Sequence, residues 1–462
     1  MASWQPPDRP ELPAVTGIRF FAAMHVCLYH LAQISFAITY YGREDTEHFR
    51  TWAENVWAVF DSHWVINHLV RGALSQVGMF FVMSGFILTY SYPIPPTGAF
   101  NYRSYCLSRF ARVYATYLAG LIWGIPLLLF VLSGEPERLR EENTRNGIPE
   151  PRATETASGL RVTPLPPEFS NSPIERALAT ISVPLLLQAW YPKFSIFMWN
   201  APAWSLSVEA FLYGMFPLLI LRLVHWRTRS LIVLSLFCWV AMLIPPLWYI
   251  RTDPDNTGVI DWNMVTFWFN FVRHNPLLRL PEFMIGMIVA RLFADQAAAN
   301  ARSGKATGGW MSTIAVTIAI LTMIFLEEII GHDAAYMLQH NGLLAPVYAL
   351  GCAGLALGGG PVAFICSFRW MVILGDCAYG IYLFHFPWLA YMIGFLSIKS
   401  KEDPNMELPS AWNFIFWYLA VTIAAAVYFR LKMEKKLRFR IRDFVARLWP
   451  EKSKSPVTTP TA

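Results

Sequence analysis

The stretch from Leu12 to Tyr41 constrains everything else in this chain. It reads LPAVTGIRFFAAMHVCLYHLAQISFAITYY, apolar and long enough to cross a bilayer, yet it carries Arg19, His25 and His30. A hydrocarbon core about 30 Å thick is crossed by about 20 helical residues. An Arg within such a span costs roughly 2.5 kcal/mol or more unless it faces protein, water or a partner. Arg19 and His30 are eleven residues apart. On an α-helix that is about three turns plus 20°, so they share a face, ~16 Å apart along the axis. His25 points about 120° away. One stripe of the first helix is therefore polar at both ends and has to face a bundle interior.

The remainder of the chain fits the same solvent. Of its 462 residues, 55% are hydrophobic and only 15% charged, where soluble domains carry about a quarter. The mean hydropathy is +0.37. These values exclude an ordinary soluble domain and imply a lipid bilayer as the surroundings. The formal charge of +6 gathers largely after Arg430, where it concerns membrane topology rather than nucleic acid. Six cysteines (Cys27, Cys106, Cys238, Cys352, Cys366, Cys377) are scattered without a CxxC or Cys/His cluster, so neither a metal site nor a disulfide framework is expected. The N-terminus has no basic n-region, and the first span is expected to be retained.

In order along the chain, a polar lead (1–11) precedes a membrane domain (12–431) and a basic tail (432–462). The expected fold is all-α: a polytopic transmembrane helical bundle of about ten spans. They fall near 13–40, 69–92, 112–133, 203–224, 230–250, 279–295, 310–330, 343–366, 377–397 and 412–431. Residues 42–68 read as an acidic loop, and 134–176 as a long extramembrane loop or lightly structured insertion. The run 179–190 is short and contains Pro184, so it reads as re-entrant or interfacial. Counting it as non-spanning puts the loops with Arg103/Arg109/Arg112, Arg227/Arg229, Arg302/Lys305 and Arg369 on one side with the tail. The positive-inside rule makes that side the cytoplasm. Both termini are then cytoplasmic in a plasma (inner) membrane. The tail alternates basic and apolar residues, the pattern of a helix lying on an anionic leaflet.

Several polar groups sit where a bilayer discourages them. His30 suits a satisfied core histidine, a proton relay or a general base, since its ordinary pKa near 6.5 serves all three. FFVMSGF places Ser84 and Gly85 mid-span, where small residues permit close helix approach. Arg109 and Arg112 are either topological anchors or a clamp for phosphate groups. Glu209 lies several residues into a span in NAPAWSLSVEAF, beside Trp204, Ser205 and Ser207; a carboxylate there requires a partner. Arg279 and Glu282 in RLPEFMIG read as a rim salt bridge. Tyr379, Tyr382 and His385 follow at i, i+3 and i+6 in AYGIYLFHFP, drifting around one side of a helix.

Taken in order, Arg19-x10-His30, FFVMSGF, Arg109-x2-Arg112, WSLSVE, RLPEFMIG and AYGIYLFHFP resemble the motifs of the acyltransferase 3 family of integral-membrane O-acyltransferases. The likeness runs from about Leu12 to Phe429. It implies transfer of an acyl group, commonly acetyl, from acyl-CoA to a hydroxyl of a carbohydrate, glycoside or secreted small molecule. His30 and Arg19 then fall on the family's Arg-x10-His pair, and Arg109 and Arg112 on its paired arginines, which hold the donor with Arg19. Glu209, His385 and Tyr382 join the catalytic group, with Glu209 and His385 orienting His30 or contacting the acceptor, and Ser84, Trp204, Ser205 and Tyr379 form the surroundings of the substrate. The sequence departs from the family pattern at Thr16, Ala115 and Ala378-Tyr379. Without the resemblance, His30, Glu209 and His385 also suit the proton path of a secondary transporter, although the chain has no internal repeat.

Overall fold

The computed structural model describes residues 9–41, 46–92, 100–133, 154–155, 161–162, 172–195, 199–258, 260 and 266–449. Among these the chain is helical, apart from a two-residue antiparallel ladder of Thr154–Glu155 with Arg161–Val162. Helix α1 is Pro13–Tyr41, followed by α2 (Glu47–Asp61), α3 (Trp64–Gly72), α4 (Ser75–Ser91), α5 (Tyr102–Trp123) and α6 (Ile125–Leu132). After the ladder come α7 (Pro173–Ser182), α8 (Trp204–Leu223), α9 (Thr228–Thr252), α10 (Phe267–His274), α11 (Pro276–Ser303) and α12 (Met311–Ile330). The last third contains α13 (His332–His340), α14 (Ala345–Leu357), α15 (Gly360–Cys366), α16 (Arg369–Glu402) and α17 (Ala411–Phe429). A π-helical turn, Arg430–Glu434, then leads into α18, Lys435–Leu448.

Among the described residues, six helical segments are long and apolar enough to cross a membrane, and nine are if each of three bent pairs counts as one span. The bends are 43° between α3 and α4, 55° between α5 and α6, and 46° between α13 and α14. About ten spans were expected. The difference lies at α11, whose apolar run is interrupted by Arg279, Glu282, Arg291 and Asp295. Two other expectations change. The supposed loop 42–68 contains two helices. In α2, Phe49, Trp52, Ala53, Val56, Trp57 and Phe60 are buried, a spacing of three and four that makes one apolar face. Most of 134–176 lies outside the described residues, but its end opens α7, where Ser172 and Glu175 form a capping box.

The run 179–190 contributes the end of α7, a turn and a short 3₁₀ segment, Gln188–Trp190. Helix directions bear on whether it could cross. A Cβ on Gly375 of α16 would meet the Thr16 carbonyl of α1, and His385 of α16 meets His30 further along α1. Contacts advance together, so the two helices are parallel. Helices α4 and α11 are parallel as well, with Gly78 against Glu282 and Val82 against Gly286. With α11 counted as crossing beside α4, an extra crossing at 179–190 would reverse the second member of each pair, because both pairs bracket it. The non-spanning reading is the one these packings accept.

The α4–α11 contact depends on absent side chains. A Cβ on Gly85 would lie 2.1 Å from the Phe283 carbonyl oxygen, and one on Gly286 would lie 1.9 Å from that of Val82. Both partners are backbone, so neither can swing aside. Gly286→Ala is therefore expected to destabilise the protein by about 1–3 kcal/mol. Thermal unfolding in detergent checks this, and an unchanged midpoint would show that the two helices separate freely.

Candidate active site

One cavity of about 290 Å³ gathers most of the residues singled out from the sequence. Arg19 of α1, Ser84 of α4, Arg109 and Arg112 of α5, Ser205 and Glu209 of α8, and Tyr379 and Tyr382 of α16 all line it. Helical spacing delivers them. On α8, Ser205, Glu209 and Tyr213 recur every four residues; on α5, Arg109, Arg112 and Thr116 recur at three and four. Its volume sits near the low end of small-molecule sites, about 300–1,000 Å³.

Away from its mouth, the charges of this cavity are not paired with one another. Glu209 accepts from Ser84 Oγ at 3.1 Å and from the Tyr213 hydroxyl, so its partners are hydroxyls. Arg109 stacks its guanidinium over Tyr92, 4.9 Å from the ring centroid, and its Nε is buried without a hydrogen bond. Arg112 presents its surface to the cavity. Among the described residues, Arg19, Arg109 and Arg112 have no carboxylate within 4.0 Å. A concentration of uncompensated cations in a low-dielectric wall attracts an anionic ligand, and the planar forks of Arg suit phosphate.

His30 and His385 lie outside that lining and face each other. His385 Nε2 is 2.9 Å from His30 Nδ1, and His385 Nδ1 is 2.6 Å from the Tyr382 carbonyl oxygen. His30 Nδ1 also lies 3.1 Å from the Val26 carbonyl oxygen. A nitrogen facing a carbonyl must carry hydrogen, which assigns the proton of neutral His385 to Nδ1 and leaves its Nε2 as an acceptor. His30 Nδ1, between a carbonyl and that acceptor, carries hydrogen in turn. The chain of three contacts leaves His30 Nε2 as the unprotonated nitrogen. His25, by contrast, is satisfied by the Leu69 carbonyl at 2.6 Å.

Tyr382 links the two regions: its side chain lines the cavity while its carbonyl holds His385. Its hydroxyl donates to the Pro202 carbonyl at 2.9 Å and receives Ser205 Oγ at 3.0 Å. Tyr379, one turn earlier, has a buried hydroxyl with no hydrogen-bond partner. Trp204 is elsewhere, 4.1 Å from His274 by ring centroids and under Arg279 at 6.0 Å.

The Arg279–Glu282 pair is not at a rim. Both residues are 1% exposed and 3.4 Å apart. Arg279 also donates to the carbonyls of Arg273 and His340 and contacts His340 Nδ1. Neither His274 nor His340 was singled out in the sequence, nor was Tyr213, although its place four residues after Glu209 was a usable signal. Arg430, Glu434 and Arg438 were read only as tail charges, yet they also line the cavity.

The chain matches the Acyltransferase domain family, Acyl_transf_3, over residues 12–431. It is also similar to "Acyltransferase MdmB" of Streptomyces mycarofaciens, 27% identical over 215 residues that cover 46% of this chain and 40% of that protein. The match thus spans less than half of that relative's length. No solved structure matches the chain. With the family covering nearly all of an all-helical, multi-pass fold, the chain belongs to the acyltransferase 3 family of integral-membrane acyltransferases.

Proposed function

We propose that this protein transfers an acyl group, acetyl by preference, from acyl-CoA to a hydroxyl of a carbohydrate, glycoconjugate or secreted small molecule. The observation that carries the reading is the arrangement along α1 and α16. A cavity with uncompensated arginines leads, through Tyr382, to a histidine whose free nitrogen is set by two hydrogen-bonded neighbours. The family supports acyl transfer in general, and the uncompensated arginines of the cavity favour a polyanionic donor such as acyl-CoA.

In this mechanism the acceptor oxygen attacks the thioester carbonyl carbon and the carbon–sulfur bond breaks. The hydroxyl proton passes to His30 Nε2 and then to the departing thiolate, so the CoA thiol leaves neutral. His385 orients His30 and accepts from its Nδ1–H, which favours the transient imidazolium. Arg109 and Arg112 bind the phosphates. Arg19, ~16 Å from His30 along the helix, belongs with them rather than with an oxyanion formed beside the base. Tyr379 offers its unpartnered hydroxyl to a carbonyl of the donor's arm. Tyr382 is the hydroxyl nearest in chain to His385 that also touches the cavity, and it supplies the oxyanion donor once its proton turns from Pro202.

The assigned side puts the arginine end of this axis in the cytoplasm with both termini, and the His30 end toward the outer face of a plasma (inner) membrane. The test is a purified preparation given labelled acetyl-CoA and simple glycosides, with free thiol and acylated product measured together. Stoichiometric release of thiol and product supports the proposal. Absence of saturable CoA binding would sink it.

A further inference from the structure

The segment after Arg430 reads in sequence as a helix resting on the membrane surface. In the fold it packs on α5, the helix that carries Arg109 and Arg112. Arg103 of α5 donates to the carbonyls of Trp449 at 2.8 Å and Ala446 at 3.2 Å, a cation at the C-terminal end of a helix, where free carbonyls concentrate negative potential. The opposite end of α18 and the π-turn before it reach the cavity, where Arg430, Glu434 and Arg438 join the lining. A π-turn interrupting an otherwise continuous helix is a frequent companion of functional sites.

We propose that the C-terminal helix forms part of the acyl-donor site, with Arg438 as a phosphate-binding residue beside Arg109 and Arg112. The inference rests on the acyl-CoA reading above. Its support is electrostatic and geometric. Arg19, Arg109, Arg112 and Arg438 line the same cavity, so four cations surround one space. Glu434 is shared by two of the mouth arginines, at 3.5 Å from Arg430 and 3.6 Å from Arg438. Charge-assisted hydrogen bonds normally run about 2.7–2.9 Å, so these are loose pairs. The Arg438 side chain keeps 38% of its surface exposed. A phosphate oxygen offers Arg438 a closer and bidentate partner than Glu434 does, and Glu434 then remains with Arg430, which also has Asp376 at 3.4 Å. Arg438 is thus held at the mouth in a position from which an arriving polyanion can take it.

The experiment uses full-length protein in detergent, with binding of CoA and of 3′-dephospho-CoA measured by titration calorimetry. Arg438→Gln is expected to weaken CoA by about tenfold. Arg440→Gln, on the same helix but outside the cavity, is expected to bind as the wild type does. Glu434→Gln keeps the cation and removes its competitor, and is expected to tighten CoA; this opposite sign guards against a variant that merely misfolds. A loss for CoA alone identifies the ribose 3′-phosphate as the group contacted, and an equal loss for both ligands identifies the pyrophosphate; either supports the inference. Wild-type affinity in both Arg438→Gln and Glu434→Gln overturns it while leaving the donor reading intact. A wild-type protein that binds neither ligand overturns the donor reading and this inference with it.

Discussion

His30→Ala lowers acyl transfer by a factor of about 10² to 10⁴, the usual contribution of a positioned general base, and leaves CoA affinity unchanged. The two readouts separate because His30 is outside the arginine-lined cavity. The acid limb of the pH–rate profile, where a protonated His30 cannot accept the hydroxyl proton, disappears in the same variant. Transfer at the wild-type rate would remove His30 from the mechanism, and a loss of CoA binding equal to the loss of rate would move it into the donor site.

The same prediction extends to His385 with a smaller effect and a finer test. His385 touches His30 rather than the cavity, so the proposed mechanism gives it a positioning role. His385→Leu removes the acceptor for His30 Nδ1–H. It frees the ring to present either nitrogen and is expected to lower the rate and displace the acid limb. His385→Gln can still accept through its amide oxygen and should recover part of the rate. Identical losses in both variants, with an undisplaced profile, would reduce His385 to packing.

The lining of the arginine-rich cavity was the part most legible in the sequence. Arg19, Ser84, Arg109, Arg112, Ser205, Glu209, Tyr379 and Tyr382 converge on one cavity. Arg19 and Glu209 were conspicuous as charges on apolar helices, which have to face an interior, and the others for their place in the motifs. The small pair Ser84-Gly85 divides its duties, with Gly85 admitting α11 and Ser84 bonding Glu209. What the sequence concealed was pairing between distant helices. The sequence set both Glu209 and His385 beside His30 or the acceptor without separating them. His385 meets His30 across 355 positions, whereas Glu209 bonds Ser84 and Tyr213, and Trp204 turns toward His274 instead of the cavity. Arg279 and Glu282 were misjudged because their depth depends on α10 and α13, whose histidine and carbonyl groups close around them. The α2 face was there to be read in the spacing of Phe49, Trp52, Val56 and Phe60, but its acidic surface residues gave it the composition of a loop.

Arg112 supplies the second large effect. It has no ion pair or hydrogen bond among the described residues and faces the cavity, so the folded protein gains little from it in the absence of a ligand. Arg19, Arg109 and Arg438 line the same cavity and carry the same charge. An arginine kept in such company is a net cost to folding, and removing it is expected to leave thermal stability unchanged or raised. Binding tells the opposite story. A hydrogen bond to a charged group contributes about 1.5–3 kcal/mol, so Arg112→Ala should raise KM for acetyl-CoA by roughly 10- to 150-fold with kcat at saturation preserved. Arg112→Lys retains the charge but not the planar fork, and should recover only part of the affinity. The wild-type affinity should fall as salt is added, and fall less steeply in Arg112→Ala, because one cation fewer is being screened. A drop in kcat at unchanged KM would instead place Arg112 at the reacting carbonyl, and the donor would then have to enter the cavity thioester first.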